Sequence, residues 1–191
     1  MKKLIFTLMA LAVAIIATAQ SADKLYQEGK ELYDAKNYKA AVPKLKAAAE
    51  KGHRKAQYRL GRCYDKGNGV TEDDAKAFEW YAKSAAQNYA KAQYQLGKCY
   101  KEGKGTKKDR KKAVDYFTKA AKQENADAQY ALGKCYLKGK GIAADEKKAK
   151  LWLSRAVKNE KGGKDILKKI QKDAAEGDED AKIILKLIGK Q

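Results

Sequence analysis

The sequence predicts an all-α protein, an α-solenoid of about five stacked antiparallel helix pairs that follow a signal peptide. Three observations predict this fold class. A nine-residue motif returns twice at a spacing of 36 residues, and only one proline occurs in 191 residues, which favours helices. Apolar residues inside each unit recur at helical spacing. A single helix hairpin cannot bury its apolar stripe alone, so the copies are expected to stack.

The first nineteen residues have the features of a secretory signal peptide. Lys2 and Lys3 precede an apolar run over residues 4–16, and small residues follow at Ala17 and Ala19. A basic start, a short apolar segment and an A-x-A site are typical of a signal peptide, cleaved here after Ala19. The apolar run is too short to span a membrane. We therefore expect an exported protein, periplasmic or secreted, with no membrane span after cleavage.

The repeat unit begins with the pattern A-Q-Y-x-L-G-x-C-Y, which stands at residues 56–64, 92–100 and 128–136. Each copy continues into a G-x-G element, and an aspartate follows at a helix N-cap position: Asp73, Asp109 and Asp145. The G-x-G elements follow helices and lack the Lys-Ser/Thr of a phosphate loop. Glycine is therefore expected to end one helix and turn to the next, and Gly61 would let two helices approach closely.

This pattern resembles the Sel1-like repeat, a relative of the tetratricopeptide repeat, over residues 53–160. The resemblance implies stacked helix pairs whose first helices line a concave surface. Residues 20–52 resemble a plain tetratricopeptide-like helix pair. Residues 161–191 keep less of the pattern, and we expect them to form a degenerate capping pair.

Three cysteines recur in phase, one in each copy: Cys63, Cys99 and Cys135. Equivalent positions in stacked hairpins are about 10 Å apart, too far for a disulfide. The exported, cysteine-rich members of the family pair two cysteines in each repeat, and the second one is absent here. We expect three small, buried core residues rather than metal ligands.

A catalytic site is not expected. His53 is the only histidine, and we place it in a solvated turn without a partner for a catalytic triad. A β-lactam-hydrolysing activity has been suggested for the cysteine-rich relatives, and it stays an alternative, but the sequence offers no nucleophile motif for it. We predict a non-enzymatic protein with no catalytic residue, metal or cofactor.

The best candidate for a binding surface is the side of the first helices that faces away from their core stripe. There each copy presents a tyrosine and, four residues later, a cation: Tyr58 and Arg62, Tyr94 and Lys98, Tyr130 and Lys134. Tyrosine and arginine are common at binding hot spots, so this ladder predicts a concave face that binds a protein or peptide, with acidic ligands favoured. The alternative is that the tyrosines are packing residues of the repeat.

The formal net charge is +19. Most of the excess lies in residues 53–157, which contain 25 basic and 12 acidic residues. A dense basic patch marks the turn into one second helix, on the expected convex side: Lys104, Lys107, Lys108, Arg110, Lys111 and Lys112. This basic patch predicts adhesion to anionic cell-envelope or host polymers. The alternative is that it is only a solvated, lysine-rich face. Nucleic acid is not expected, because no base-reading motif accompanies the charge. The sequence leaves the oligomeric state open.

Overall fold

The structure, a computed structural model, describes residues 21–189, and in that range it is all-α, without a strand. The predicted signal peptide lies outside the described residues. Ten helices are described: α1 (21–34), α2 (Tyr38–Glu50), α3 (Arg54–Lys66), α4 (Asp74–Ala86), α5 (Ala90–Glu102), α6 (Arg110–Lys122), α7 (Ala126–Lys138), α8 (Glu146–Lys158), α9 (Gly163–Ala175) and α10 (Glu179–Leu187). They follow one another as five helix pairs, which confirms the predicted fold class.

Capping side chains fix where the second helix of each repeat begins. The three predicted N-cap residues, Asp73, Asp109 and Asp145, each accept a hydrogen bond at 2.9 Å from the backbone N–H three residues later. These bonds satisfy N–H groups that have no partner inside a helix. The predicted caps are therefore confirmed, and each of them starts a thirteen-residue helix.

Glycines make the turn between the two helices of a repeat. Gly67 and Gly139 end α3 and α7 in the left-handed conformation, with φ of 62° and 63°, as predicted. A Cβ atom added to Gly69 would lie 2.5 Å from the carbonyl oxygen of Tyr38. The turn after α3 therefore packs directly on the first residue of α2. Gly141 makes the equivalent close approach to the backbone of Arg110, the first residue of α6.

Residues 21–89 form one compact unit that contains α1–α4. Its buried core is made of Tyr26, Tyr33, Ala41, Leu45, Ala48, Ala49, Ala56, Leu60 and Cys63. Gly61 of α3 faces the ring of Tyr81 on α4, where an added Cβ would lie 2.7 Å from a ring carbon. Glycine therefore allows the close helix approach that the sequence predicts.

Residues 90–189 form a second compact unit with α5–α10. Its largest buried apolar side chains are those of Leu96, Phe117, Leu132, Leu153, Ile170 and Ile184. The last helix pair, α9 and α10, buries isoleucines against α8. Isoleucines are therefore the largest buried side chains of this pair.

His53 differs from the solvated turn residue that the sequence predicts. Its Nδ1 atom accepts the backbone N–H of Ala56 at 3.1 Å, which makes it the N-cap of α3. Its ring stacks on Tyr26 at a centroid distance of 4.2 Å, and its Nε2 atom lies 3.0 Å from Asp23. Only 12% of the side chain is exposed, because α1 packs over the turn.

Candidate partner-binding groove

The predicted pair in the first unit, Tyr58 and Arg62, lies together on α3. The guanidinium of Arg62 lies close enough to the Tyr58 side chain for the two to interact. The ring centroid of Tyr58 also lies 5.4 Å from that of Tyr89 and 6.0 Å from that of Tyr81. Tyr58 is half-buried, so it is a packing residue that still presents part of its ring to solvent.

In the predicted pairs of the second unit, each cation lies near the ring of its tyrosine. The Lys98 ammonium lies 6.0 Å from the ring centroid of Tyr94, and the Lys134 ammonium lies 5.5 Å from that of Tyr130. These distances are within the reach of cation–π attraction. The Tyr94 ring in turn packs against Phe117 at 5.8 Å. Each tyrosine therefore holds its cation in place on one side and contacts the core on the other.

A groove of about 650 Å³ opens over α7 in the second unit. Its floor is aromatic and apolar and contains Tyr94, Ala113, Phe117, Tyr130, Ala131 and Ile166. Within residues 90–189, seven basic side chains and two acidic ones line it; the basic ones are Lys101, Lys108, Arg110, Lys134, Lys138, Lys140 and Lys169. An apolar floor inside a cationic rim is suited to an extended segment that carries acidic groups.

The groove combines residues that the sequence analysis assigned to two separate surfaces. Tyr94, Tyr130 and Lys134 come from the predicted ladder, while Lys108 and Arg110 come from the basic patch. The expectation that the whole patch faces away from the ladder is therefore wrong for these two residues. The turn after α7 packs on the first residue of α6, which brings the start of α6 to the end of α7. Lys98 does not line the groove.

The rest of the basic patch has a different surrounding. Lys107 and Lys111 are exposed, and Lys104 is half-buried. Lys112 lies 3.8 Å from the N-cap Asp109, and its ammonium is 5.4 Å from the ring centroid of Tyr100. Lys112 therefore helps to hold the start of α6.

The cysteines differ in burial. Cys63 and Cys99 are buried, as predicted, and burial raises the pKa of Cys63 to about 11. Cys135 is only half-buried and lines the groove, so the prediction of a fully buried third cysteine is wrong. Burial also raises the pKa of Cys135, which keeps its thiol protonated near neutral pH.

Several groove residues were missed by the sequence analysis. Lys138 is not one of them, because it stands one helical turn after Lys134 and helical spacing places it on the same face of α7 as Tyr130. Ile166 and Lys169 come from α9, in the pair expected only to cap the array. Their position depends on how α9 packs on α7, for which no repeating pattern gives a signal.

Comparison with known proteins agrees with the helix-pair architecture. The model of the Sel1 repeat family matches residues 54–89, 90–125 and 126–160, more than half of the chain. The chain belongs to the Sel1 repeat family. Its three Sel1 repeats correspond to α3–α4, α5–α6 and α7–α8. Repeats of this type are tetratricopeptide-like and typically form non-enzymatic scaffolds for protein interactions.

Two solved structures show the same repeat fold. A Sel1 repeat protein from Oxalobacter formigenes is 37% identical with a TM-score of 0.68, over 71% of this chain and 54% of its own. A protective antigen of uropathogenic Escherichia coli strains with an SLR fold is 33% identical with a TM-score of 0.70, over 77% of this chain and 33% of its own. These likenesses confirm the α-solenoid class.

A curated relative shares a shorter segment. The exopolysaccharide production negative regulator of Rhizobium leguminosarum bv. viciae is 38% identical over 63 residues, which is 33% of this chain and 24% of that protein. This chain thus spans between about a quarter and about half of the length of these three proteins. Among the helices of residues 21–189, none has both the length and the apolar character needed to cross a membrane.

Proposed function

We propose that this protein is an exported, non-enzymatic scaffold that binds a protein or peptide partner through its first repeat helices, the concave face of such an array. The groove over α7 supports this most, because an aromatic floor lies inside a rim of basic side chains. Extended peptides with alternating apolar and acidic residues match that arrangement, since successive side chains point to opposite sides. The partner's acidic groups would face the rim and its apolar groups the floor.

The rim is expected to provide specificity and a salt-dependent share of the affinity. A single exposed ion pair contributes at most about 1 kcal/mol, so no one lysine decides binding. Seven cations around one groove act together on a flexible acidic segment and steer its approach. Because the Debye length is about 10 Å at 0.1 M salt, raising the ionic strength should weaken binding.

Fluorescence anisotropy with a fluorescein-labelled octapeptide of alternating Glu and Leu tests this proposal. The groove variant carries Lys101→Ala, Lys134→Ala and Lys140→Ala together, and we expect about tenfold to a hundredfold weaker binding at low salt. A control variant removes three exposed lysines outside the groove, namely Lys122, Lys150 and Lys164, and should change affinity by less than about threefold. Equal losses in both variants, or equal binding of a Gln–Leu octapeptide, would contradict the proposal.

The ladder residues outside the groove are Tyr58 and Arg62 in the first unit and Lys98 in the second. Arg62 and Lys98 each lie beside a tyrosine of their own helix. If the first unit also binds acidic segments, Arg62→Ala should weaken binding of a longer acidic peptide while leaving the octapeptide unaffected. An Arg62→Ala variant that binds both peptides as tightly as the wild type would limit the binding surface to the groove.

Export is the part of the proposal that rests on the first nineteen residues. Cleavage after Ala19 leaves Gln20 as the first residue of the mature chain. Mass spectrometry of the protein from the envelope fraction of its native cell should find that N-terminus. An intact chain that begins at Met1 in the cytosol would contradict export.

Adhesion to an anionic polymer is a second candidate, supported by the exposed part of the basic patch. Lys107 and Lys111 are exposed and lie outside the groove lining, so a large polyanion can reach them. A Lys107→Ala/Lys111→Ala variant should lose affinity for dextran sulfate but bind the Glu–Leu octapeptide normally. Unchanged binding of dextran sulfate would argue against this second function.

A further inference from the structure

The turn between α9 and α10 brings acidic side chains to one end of the cationic groove. Tyr130 lines the groove, and its pKa is raised to about 12 by burial and then by the nearby carboxylates of Asp173, Asp178 and Asp180. These acids follow one another closely in sequence, in the pair that closes the array. The groove therefore has a negative border at this end.

Asp180 is paired with a basic side chain of the rim. It forms an ion pair with Lys138 of α7, 42 residues away in sequence, and Lys138 lines the groove. The hydrogen bond from Lys138 is the main cause that lowers the pKa of Asp180, and the charges of Lys134 and Lys140 act in the same direction. One carboxylate of the chain itself therefore lies among three lysines of the groove.

This ion pair is only partly shielded from water. The side chains of Lys138 and Asp180 are 28% and 35% exposed, so water screens their attraction less than that of a fully exposed pair. The preceding residue, Glu179, is also acidic. Its side chain is 77% exposed and pairs with Lys182 of its own helix at 2.7 Å. Glu179 therefore offers a natural control, since it carries the same charge in the same turn but has a different partner.

We infer that Asp180 is a built-in competitor for the groove, whose carboxylate occupies Lys138 until an acidic ligand displaces it. The inference rests on the proposed function, because it assumes that the groove binds acidic segments. Displacement exchanges one carboxylate for another at the same ammonium group and changes no covalent bond. The wild-type groove should therefore favour ligands with several acidic groups, since a single carboxylate gains little by replacing Asp180.

Binding of the Glu–Leu octapeptide to an Asp180→Asn variant tests the inference. Removing the competitor should tighten binding by about threefold to tenfold at low salt. The Glu179→Gln control lowers the total negative charge equally and should change affinity by less than about twofold. Asp180→Ser provides a second variant if thermal unfolding shows that the asparagine variant has lost its last helix pair, because it removes the same carboxylate with a different side chain.

Two kinds of result would overturn the inference, and they can be told apart. If the wild type binds the octapeptide and Asp180→Asn binds it equally, or if Glu179→Gln tightens binding as much, Asp180 is no competitor although the groove functions. If neither the wild type nor Asp180→Asn binds the octapeptide, the proposed function has failed and the inference fails with it.

Discussion

The Nε2 atom of Gln87 donates a hydrogen bond to the Oε1 atom of Gln57, at a distance of 2.8 Å. This bond joins the C-cap of α4 to the first turn of α3. The other two repeats have the same link between residues thirty positions apart. Gln123 donates to Gln93 at 2.7 Å, and Asn159 donates to Gln129 at 3.1 Å. The glutamine of the A-Q-Y motif therefore ties the open ends of each hairpin together.

The same glutamines also connect a repeat to the helix before it. Gln57 donates from Nε2 to the carbonyl of Ala49 at 3.1 Å, and Gln129 donates to the carbonyl of Ala121 at 3.4 Å. Both side chains are buried. A buried amide with all its partners stabilises one packing arrangement, because any other leaves polar groups unpaired.

Replacing Gln129 by leucine should destabilise the protein by about 1–3 kcal/mol. Leucine fills a similar volume but removes the three side-chain hydrogen bonds that Gln129 makes with Ala121, Glu124 and Asn159. Ala121 and Asn159 each keep one other partner, so the cost is that of the lost bonds, about 0.5–1.5 kcal/mol each. Urea unfolding followed by circular dichroism measures the change. The exposed Gln171→Ala variant on α9 should stay within about 0.5 kcal/mol of the wild type, and a similar result for Gln129→Leu would show that the link is dispensable.

Gly97→Ala should destabilise the protein although alanine is the better helix former. The new Cβ would lie 2.6 Å from a ring carbon of Phe117, so α5 and α6 would have to move apart, at a cost of about 1–3 kcal/mol. Thermal unfolding gives the readout. Lys91→Ala, on the exposed side of the same helix, adds alanine without this contact and should be close to neutral; a stabilised Gly97→Ala variant would refute the close packing.

The three thiols should react with a maleimide at different rates. Cys135 lines the open groove, whereas Cys63 is fully buried and burial raises its pKa to about 11. Since the thiolate is the reactive form, we expect Cys135 to be labelled roughly tenfold faster than Cys63. Mass spectrometry of timed digests distinguishes the sites. Equal rates at all three positions in the folded protein would contradict the burial pattern.

Acid should weaken the N-terminal unit through His53. Burial lowers the pKa of His53 below its ordinary value of 6.5, an effect that exceeds the opposing attraction of Asp23, while the charge of Lys55 lowers it further. The unfolded chain therefore binds the proton more readily, so the stability that neutral His53 contributes is present above pH 6.5 and is lost as pH falls through the folded pKa. Protonated Nδ1 can no longer accept the N–H of Ala56.

The variant His53→Asn isolates this effect, because asparagine is a good N-cap that does not titrate in this range. Urea unfolding of both proteins between about pH 7.5 and about pH 5 gives the difference in free energy of unfolding. The free energy of unfolding of the wild type, relative to that of His53→Asn, should decrease as the pH falls. Parallel curves for the two proteins would mean that His53 carries no such dependence.

The sequence by itself determined the repeat, its helix pairs and their caps. These depend on local chemistry that a 36-residue period makes visible: an aspartate that accepts a backbone N–H, a glycine that turns left-handed, and apolar residues at helical spacing. The tyrosine–cation pairs were predictable for the same reason, since residues four apart on a helix are neighbours.

Only the tertiary structure decided how the separate surfaces combine. The turn after α7 packs on the start of α6, and this brings Arg110 into one groove with Tyr130 although twenty residues separate them. Asp180 meets Lys138 across 42 residues, from a helix pair that no longer follows the repeat. Contacts of this kind arise from the packing of whole helices, whose positions depend on every buried side chain between them, and no local pattern encodes them.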